Sequence, residues 1–309
     1  MPVADRSSLD LVFLKAHPGY LNWFCEFTAP DVGLGGYFRY GVLPDEDIAT
    51  VIVQLAGPKW PLVSLVDLSA SIDGAPTAVR TDRFGFEHGT REPGLSYHVA
   101  VEGIGEAYAT SEGPLRGEIP TSVDVSLELT WATGGTPFAY PIAPGYEIPC
   151  WVSGQVMIDG ETKLVSRAPA QRNHTTGKRD WWAMEWVWTE LRLDDESHLI
   201  ATDVDVPEIG QVSMGCIQSP SGALVELESV RAVVAVGEDL LPRTTHVIVE
   251  PRSLVVPILE SDIKGRVSLP LIAEDGRVAH FMRAWVTPTL SDGRKAAGWV
   301  EWHKHVRGL

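Results

Sequence analysis

From residue 123 to residue 131 the chain alternates without a break. Val123, Val125, Leu127, Leu129 and Trp131 are apolar, and Asp124, Ser126, Glu128 and Thr130 between them are polar. A period of two puts one set on a dry face and the other on a wet face, which is a half-buried β-strand. Thr50–Leu55 and Val230–Val236 are valine-rich apolar runs, the pattern of strands covered on both sides. No window of a dozen residues keeps a helical period, and only a short helical piece near Ser8–Lys15 is expected. Asp-Gly pairs at 73–74, 159–160, 275–276 and 292–293 separate strand-like runs. Such pairs favour tight hairpins, because glycine reaches positive φ without a steric cost. Many short antiparallel strands with frequent turns make an all-β sandwich or barrel. Helix is therefore expected below about 15%, against a globular norm near a third.

A chain of 309 residues is natural for two domains of about 150 each. The proline-rich segment Thr136–Pro149 reads as the crossover between them, giving domains at 1–145 and 146–309. A fragment beginning near Tyr146 is then expected to fold alone. Ile72-Asp73-Gly74 and Ile158-Asp159-Gly160 read either as corresponding hairpins of two related halves or as chance. The net charge of −16 argues against nucleic acid or an anionic membrane as partner, and solubility accounts for it. Three scattered cysteines suit reduced, buried thiols in a cytoplasmic protein. Met1–Asp10 lacks a signal peptide's basic start and apolar block, and no window approaches the ~18 apolar residues of a membrane helix. The sequon Asn173-His174-Thr175 has meaning only in a secreted chain. No phosphate-cradling loop, dinucleotide fingerprint or nucleophile elbow is present, so no cofactor is expected. His303-x-His305 could ligate a metal from one strand face, but it lacks acidic or cysteine partners at useful spacing, so no metal is expected either.

The chemistry concentrates between Gln171 and Val206. Four of the eleven tryptophans, Trp181, Trp182, Trp186 and Trp188, fall within one short run beside His174, Lys178, Arg179 and Asp180. The run reads as a wet corner in an apolar cavity, or as a tryptophan-rich core strand with charged ends. As a strand, 179–191 puts Trp182, Met184, Trp186 and Trp188 on one face and Arg179, Trp181, Glu185 and Val187 on the other. The return strand carries Leu199, Ala201, Asp203 and Asp205 on one face, and His198, Ile200, Thr202 and Val204 on the other. A shift of one residue in register exchanges the faces, and so decides whether Asp203 or Thr202 lines a cavity.

Asn173-His174-Thr175-Thr176-Gly177-Lys178-Arg179-Asp180-Trp181, followed by a strand, a turn and Ala201-Thr202-Asp203, resembles the core signature of the carotenoid 1,2-hydratase (hydroxyneurosporene synthase)-like proteins. That signature reads Asp-His-x-Trp-Gly-x-Arg before a tryptophan-rich strand. His174, Gly177, Arg179 and Asp180 match it. Asn173 stands for its leading Asp, Thr176 for its Trp, and Ala201 for the aromatic residue two before the second-strand aspartate. A looser likeness continues to Gly298–Trp302. The resemblance implies two consecutive lipocalin-like antiparallel β-barrels with an active pocket near their junction. It also implies hydratases or cofactor-free pericyclases acting on greasy substrates.

Hydration of an alkene needs a proton donor, a wall that stabilises a cation without attacking it, and a base for water. A carboxylic acid can donate where an apolar wall disfavours its charged form. Indole faces hold a cation by roughly 0.5–2 kcal/mol each. On the resemblance, Asp203 would be the acid, His174 the base or water-orienter, and Arg179 or Asp180 their support. Trp181, Trp182, Trp186, Trp188, Thr176 and Lys178 would surround the substrate. Arg179 is expected to grip a carboxylate, Asp180, Glu185 or Asp203, through its planar fork. The leading expectation is a cofactor-independent hydratase, dehydratase or isomerase acting on an isoprenoid, steroid-like or polyketide molecule. A pericyclase on the same scaffold and a non-catalytic carrier of lipophilic ligands are the alternatives. An exposed acidic edge of Asp203, Asp205 and Glu208 is the competing reading of that aspartate.

Overall fold

The computed structural model describes residues 20–72, 77–141, 144–177, 182–273 and 275–306. Strand accounts for 69% and helix for 4%, so the chain is all-β as its alternation requires. The one α-helix among the described residues is the single turn α1 (Gly113–Arg116). Ser8–Lys15 lies outside them. The chain divides into two compact units, residues 1–56, 62–108 and 120–178 in the first, and 57–61, 109–119 and 179–309 in the second.

The first unit contains β1 (Leu21–Ala29), β2 (Leu34–Leu43), β3 (Ile48–Ala56), β4 (Leu62–Ser71), β5 (Ala78–Arg80), β6 (Phe84–Glu92), β7 (Ser96–Tyr108), β8 (Thr121–Thr133), β9 (Phe138–Ala139), β10 (Gly145–Ile158) and β11 (Glu161–Thr176). Its sheet runs β4-β3-β2-β1-β11-β10-β8-β7, and β4 also pairs with β7. Eight strands thus close into a barrel. The closure is short, from Leu62↔Tyr108 to Ser64↔Glu106. The alternation at 123–131 becomes β8, whose Val125, Leu127, Leu129 and Trp131 are buried. Asp159 and Gly160, at φ 50° and 78°, join β10 to β11 as the Asp-Gly pair predicts.

Strands β10 and β11 run within residues 146–178, yet they belong to this first barrel. The expected division at 145/146 therefore moves to 178/179. The prolines of 136–149 do not mark a crossover between units. Pro149 itself sits in β10, opposite Gln171.

The second unit contains β12 (Glu185–Leu193), β13 (His198–Val206), β14 (Gly210–Gln218), β15 (Leu224–Glu226), β16 (Ser229–Val236), β17 (Pro242–Glu250), β18 (Leu254–Ile258), β19 (Ile263–Ile272), β20 (Val278–Val286) and β21 (Ala296–His305). A seven-stranded sheet, β15-β14-β13-β12-β21-β20-β19, packs one face against the three-stranded sheet β16-β17-β18. Leu191, Leu199, Ala284, Val300 and Trp302 of the larger sheet meet Val247, Val249 and Val256 of the smaller in one apolar core. The run Val230–Val236 departs from expectation. It forms β16, an edge strand paired only with β17, so Val233 and Val236 stand about half exposed, at 47% and 50%. Composition shows apolar content, but only position in the sheet shows whether both faces are covered.

Candidate active site

The hairpin β12–β13 fixes the register that the sequence leaves open. Val187 faces Asp203 and Trp188 faces Thr202. The turn sets this pairing: Leu193 N–H donates to the Ser197 carbonyl at 2.9 Å, and Glu196 takes positive φ. Directly paired residues share a face. Asp203 and Asp205 therefore share the face of Val187 and Glu185, while Trp186 and Trp188 lie on the other.

On the Asp203 face the second unit forms a half-open cavity of about 790 Å³, a size that suits a small-molecule ligand. Its walls differ. Strand β16 contributes Val230, Ala232, Val234 and Val236, joined by Leu240. Strands β12, β13, β14 and β21 contribute Glu185, Asp203, Asp205, Gln211, Ser213, Lys304 and His305. Among the tryptophans of the run that are described, only Trp186 borders it. Asp203 is 6% exposed. One carboxylate oxygen accepts the Gln211 side-chain amide, and the other accepts the Ala232 backbone N–H at 2.7 Å. The side chain thus ties β13 to β14 within one sheet and to β16 in the other. Glu185 binds the Lys304 ammonium at 3.1 Å and the His305 backbone N–H at 3.1 Å. Burial opposes its charged form, but those donors outweigh burial and hold the carboxyl below its ordinary range.

The opposite face carries a second polar cluster, built around Arg283, Glu301, Glu190 and His198, whose pairing sequence reasoning did not single out. The Arg283 guanidinium pairs with Glu301 at 2.9 Å, and Glu301 also accepts the Trp186 indole N–H at 2.5 Å. Arg283 lies over the Trp188 and Trp299 rings, 5.0 and 5.3 Å from their centroids. Trp186 stacks on His303 at 4.0 Å. The His303 and His305 rings stand perpendicular, 6.0 Å apart. His198 and Glu190 meet at 2.5 Å, both buried. The signal for this cluster is weak in the sequence: charged residues at covered positions of tryptophan-bearing strands.

Burial holds the His198 imidazole below its ordinary range, Arg192 adds to that, and Glu190 opposes it. Burial shifts His280 the same way. In the unfolded chain both histidines take a proton near pH ~6.5. A folded-state value below the unfolded one means that this stability is present above pH ~6.5 and is lost as pH falls through and below it. Each histidine contributes a slope of up to about 1.4 kcal/mol per pH unit. Urea denaturation at pH 7 and pH 5 is expected to show a lower midpoint at pH 5, with a smaller drop in His198→Gln. An equal drop in that variant would remove His198 as a source.

The motif residues divide. His174 points into the first barrel, stacked on Trp23 with centroids 4.7 Å apart and edge-on to Tyr146. Arg172 and His88 share that interior, with Arg172 donating to the Tyr146 hydroxyl at 3.2 Å. Burial pushes the nearby Tyr40 hydroxyl up to about 12. Asn173 takes the barrel's other face, where it donates to Tyr140. Tyr140 and Gln171 in turn donate to the buried Glu147. Thr176 is buried at the end of β11. Trp182 donates its indole N–H to the Leu271 carbonyl at 3.2 Å, away from Trp186. Lys178, Arg179, Asp180 and Trp181 lie outside the described residues, and so does the expected pairing of Arg179. No group of three His, Cys, Asp or Glu side chains that could hold a metal occurs among the described residues.

Residues 22–306 match the model of a family described as a domain of unknown function, DUF7064. The chain belongs to that family. No curated protein matches it. Among solved structures, this DUF7064 chain resembles an AttH-like protein from Nitrosomonas europaea, with a TM-score of 0.64 and 17% identity over 93% of each chain. It also resembles kievitone hydratase from Nectria haematococca, with a TM-score of 0.62 and 11% identity over 98% of this chain and 93% of the other. CghA, solved with Sch210972, aligns with a TM-score of 0.58 and 9% identity over 94% and 89%. At such identities the likeness is one of fold. The DUF7064 chain shares the β-rich, barrel-containing fold of these structures. No helix among the described residues is long and apolar enough to cross a membrane.

Proposed function

We propose that this protein is a cofactor-independent lyase or isomerase of the hydratase type, adding or removing water at a carbon–carbon double bond of a hydrophobic molecule. The observation that carries the reading is the two-sided cavity of the second unit, with an apolar strand opposite a wall that holds the buried carboxylate of Asp203. A cavity built only to carry a lipophilic ligand has no need of such a wall. Isoprenoid, steroid-like and polyketide skeletons all fit the apolar side. The Asp203 carboxylate, with a donor on each oxygen, is the group that exchanges a proton with substrate or water. The fold shared with kievitone hydratase supports this chemistry by analogy. Cyclisation in a shaped pocket is the second reading, supported by the likeness to CghA, whose structure holds the small molecule Sch210972. Three buried free cysteines, Cys25, Cys150 and Cys216, suit a reducing compartment such as the cytoplasm.

The test is incubation with kievitone and with a panel of alkenyl and tertiary-alcohol lipids in heavy-oxygen water, followed by mass spectrometry. Gain of one water with the heavy label in the product, or loss of one water with no label in the product, is the expected result. A product isomeric with its substrate and free of label would move the assignment to the cyclase. No turnover of any panel member, with ligand binding intact, would favour the carrier.

A further inference from the structure

The cavity of the second unit is bordered by strand edges as well as by side chains. Strand β16 pairs with β17 on one side only. Its Ala232 N–H donates to the Asp203 carboxylate at 2.7 Å, so that N–H points away from β17. Backbone direction alternates along an antiparallel strand, and this ladder runs without a bulge from Ser229 to Ala235. The N–H and C=O of Val230 and Val234 therefore point the same way as those of Ala232, while Arg231, Val233 and Ala235 bond to β17. Val230, Ala232 and Val234 all line the cavity. Strand β14 presents a second edge. The Gly215 carbonyl accepts the Leu227 N–H at 2.9 Å, so Gly215 points away from β13. By the same alternation Ser213 and Gln211 do too, and β15 pairs only with Cys216–Gln218.

Asp203 shows what the edge of β16 can hold. Its carboxylate oxygen stands where the carbonyl of a paired strand would stand. Two residues along, about 7 Å away, Val234 offers the next donor and acceptor. Val234 is half-buried, and its outward groups take no hydrogen bond among the described residues. A partly covered N–H and C=O without partners favour a ligand that satisfies both. The complement of one outward-facing residue is one residue of an extended chain, with an N–H and a carbonyl on either side of one saturated carbon. An alcohol, a ketone or a simple ester supplies half of that at most. The apolar side chains of β16 and Leu240 take the hydrocarbon attached to it.

We infer that the cavity takes hydrophobic molecules carrying an open-chain N-acyl amino acid unit, paired with Val234 on the edge of β16. The inference names the substrate class of the site proposed above and rests on that reading of the cavity. Asp203 already fills the neighbouring edge position, so the edge reads one such unit rather than a whole added strand.

The test uses the full chain and Nile red, a neutral apolar fluorophore, displaced by two isosteric ligands. One is N-dodecanoyl-alanine methyl ester, and the other is its depsi analogue, in which oxygen replaces the N–H. The amide is expected to displace the dye at about three- to tenfold lower concentration. Amide hydrogen exchange followed by NMR locates the contact. With the amide bound, the Val234 N–H is expected to slow by about tenfold or more, and that of Val233, bonded to β17, to change little. Val234→Pro removes the outward N–H without breaking a bond to β17, and is expected to abolish the preference for the amide. If that variant does not fold, the exchange measurement alone decides. Equal displacement by both ligands overturns the inference and leaves the apolar cavity standing. An amide preference with Val234 exchange unchanged, or one that survives in Val234→Pro, places the contact elsewhere and overturns it too. Failure of Nile red and of both ligands to bind at all would instead remove the cavity as a ligand site, and the proposed function with it.

Discussion

Replacing Arg283 with methionine is expected to destabilise the second unit by about 3–5 kcal/mol, the cost of leaving a buried partner charge without compensation. Arg283 has no exposed side-chain surface, and Glu301 is 6% exposed. Methionine fills much of the stem's volume between Trp188 and Trp299, so lost packing is the smaller effect. What remains is a carboxylate held only by the Trp186 indole. Changing both members, Arg283→Met with Glu301→Leu, removes the orphaned charge and is expected to return much of the loss. Urea denaturation followed by tryptophan fluorescence measures both. A single variant within about 0.5 kcal/mol of the parent would mean that solvent reaches the pair and screens it.

The second large effect concerns Asp203 and turnover. Asp203→Asn is expected to lower the rate by on the order of 10²-fold, the usual contribution of a positioned proton-transfer group. The fold should survive. The asparagine carbonyl can still accept the Ala232 N–H, and the Gln211 amide can turn its oxygen toward the new NH₂. Asp205→Asn, one step along the same strand face, is the control. Product formation is followed for both across pH 5–9, with the melting temperature as a check on folding. Equal, mild losses in both would leave Asp203 as a clasp between β13 and β16 and nothing more.

Much of the architecture was legible because local rules determine it. The alternation from Val123 to Trp131 could only be a strand with one buried face, and Asp159-Gly160 could only be a tight turn. Placement between distant segments was not legible. Nothing local says that Leu21 lies beside Thr176, or that β10 and β11 close the first barrel rather than open the second. The candidate site follows the same rule. Asp203 was singled out from its place after the tryptophan strand, but its face depended on a register that one residue could reverse. Paired as they are, the Asp203 carboxylate and the indoles of Trp186 and Trp188 lie on opposite faces of one sheet. Arg283, Glu301 and Lys304 drew no attention because each sits in an ordinary-looking strand. Their significance lies in partners about 18, 115 and 119 residues away, at Glu301, Trp186 and Glu185.

The pairing of β1 with β11, the last strand of the first unit, sets the order of events during synthesis. Strand β1 leaves the ribosome early, yet it sits between β2 and a strand that ends at Thr176. Until that strand emerges, β1 is an exposed edge with apolar residues on it, open to mispairing and to capture by chaperones. At 5–20 residues per second the wait is roughly seven to thirty seconds. Any truncation before residue 176 would prolong it without limit. Nascent chains stalled short of that point should be the ones that aggregate or bind chaperones, and release should come abruptly once β11 is clear of the exit tunnel.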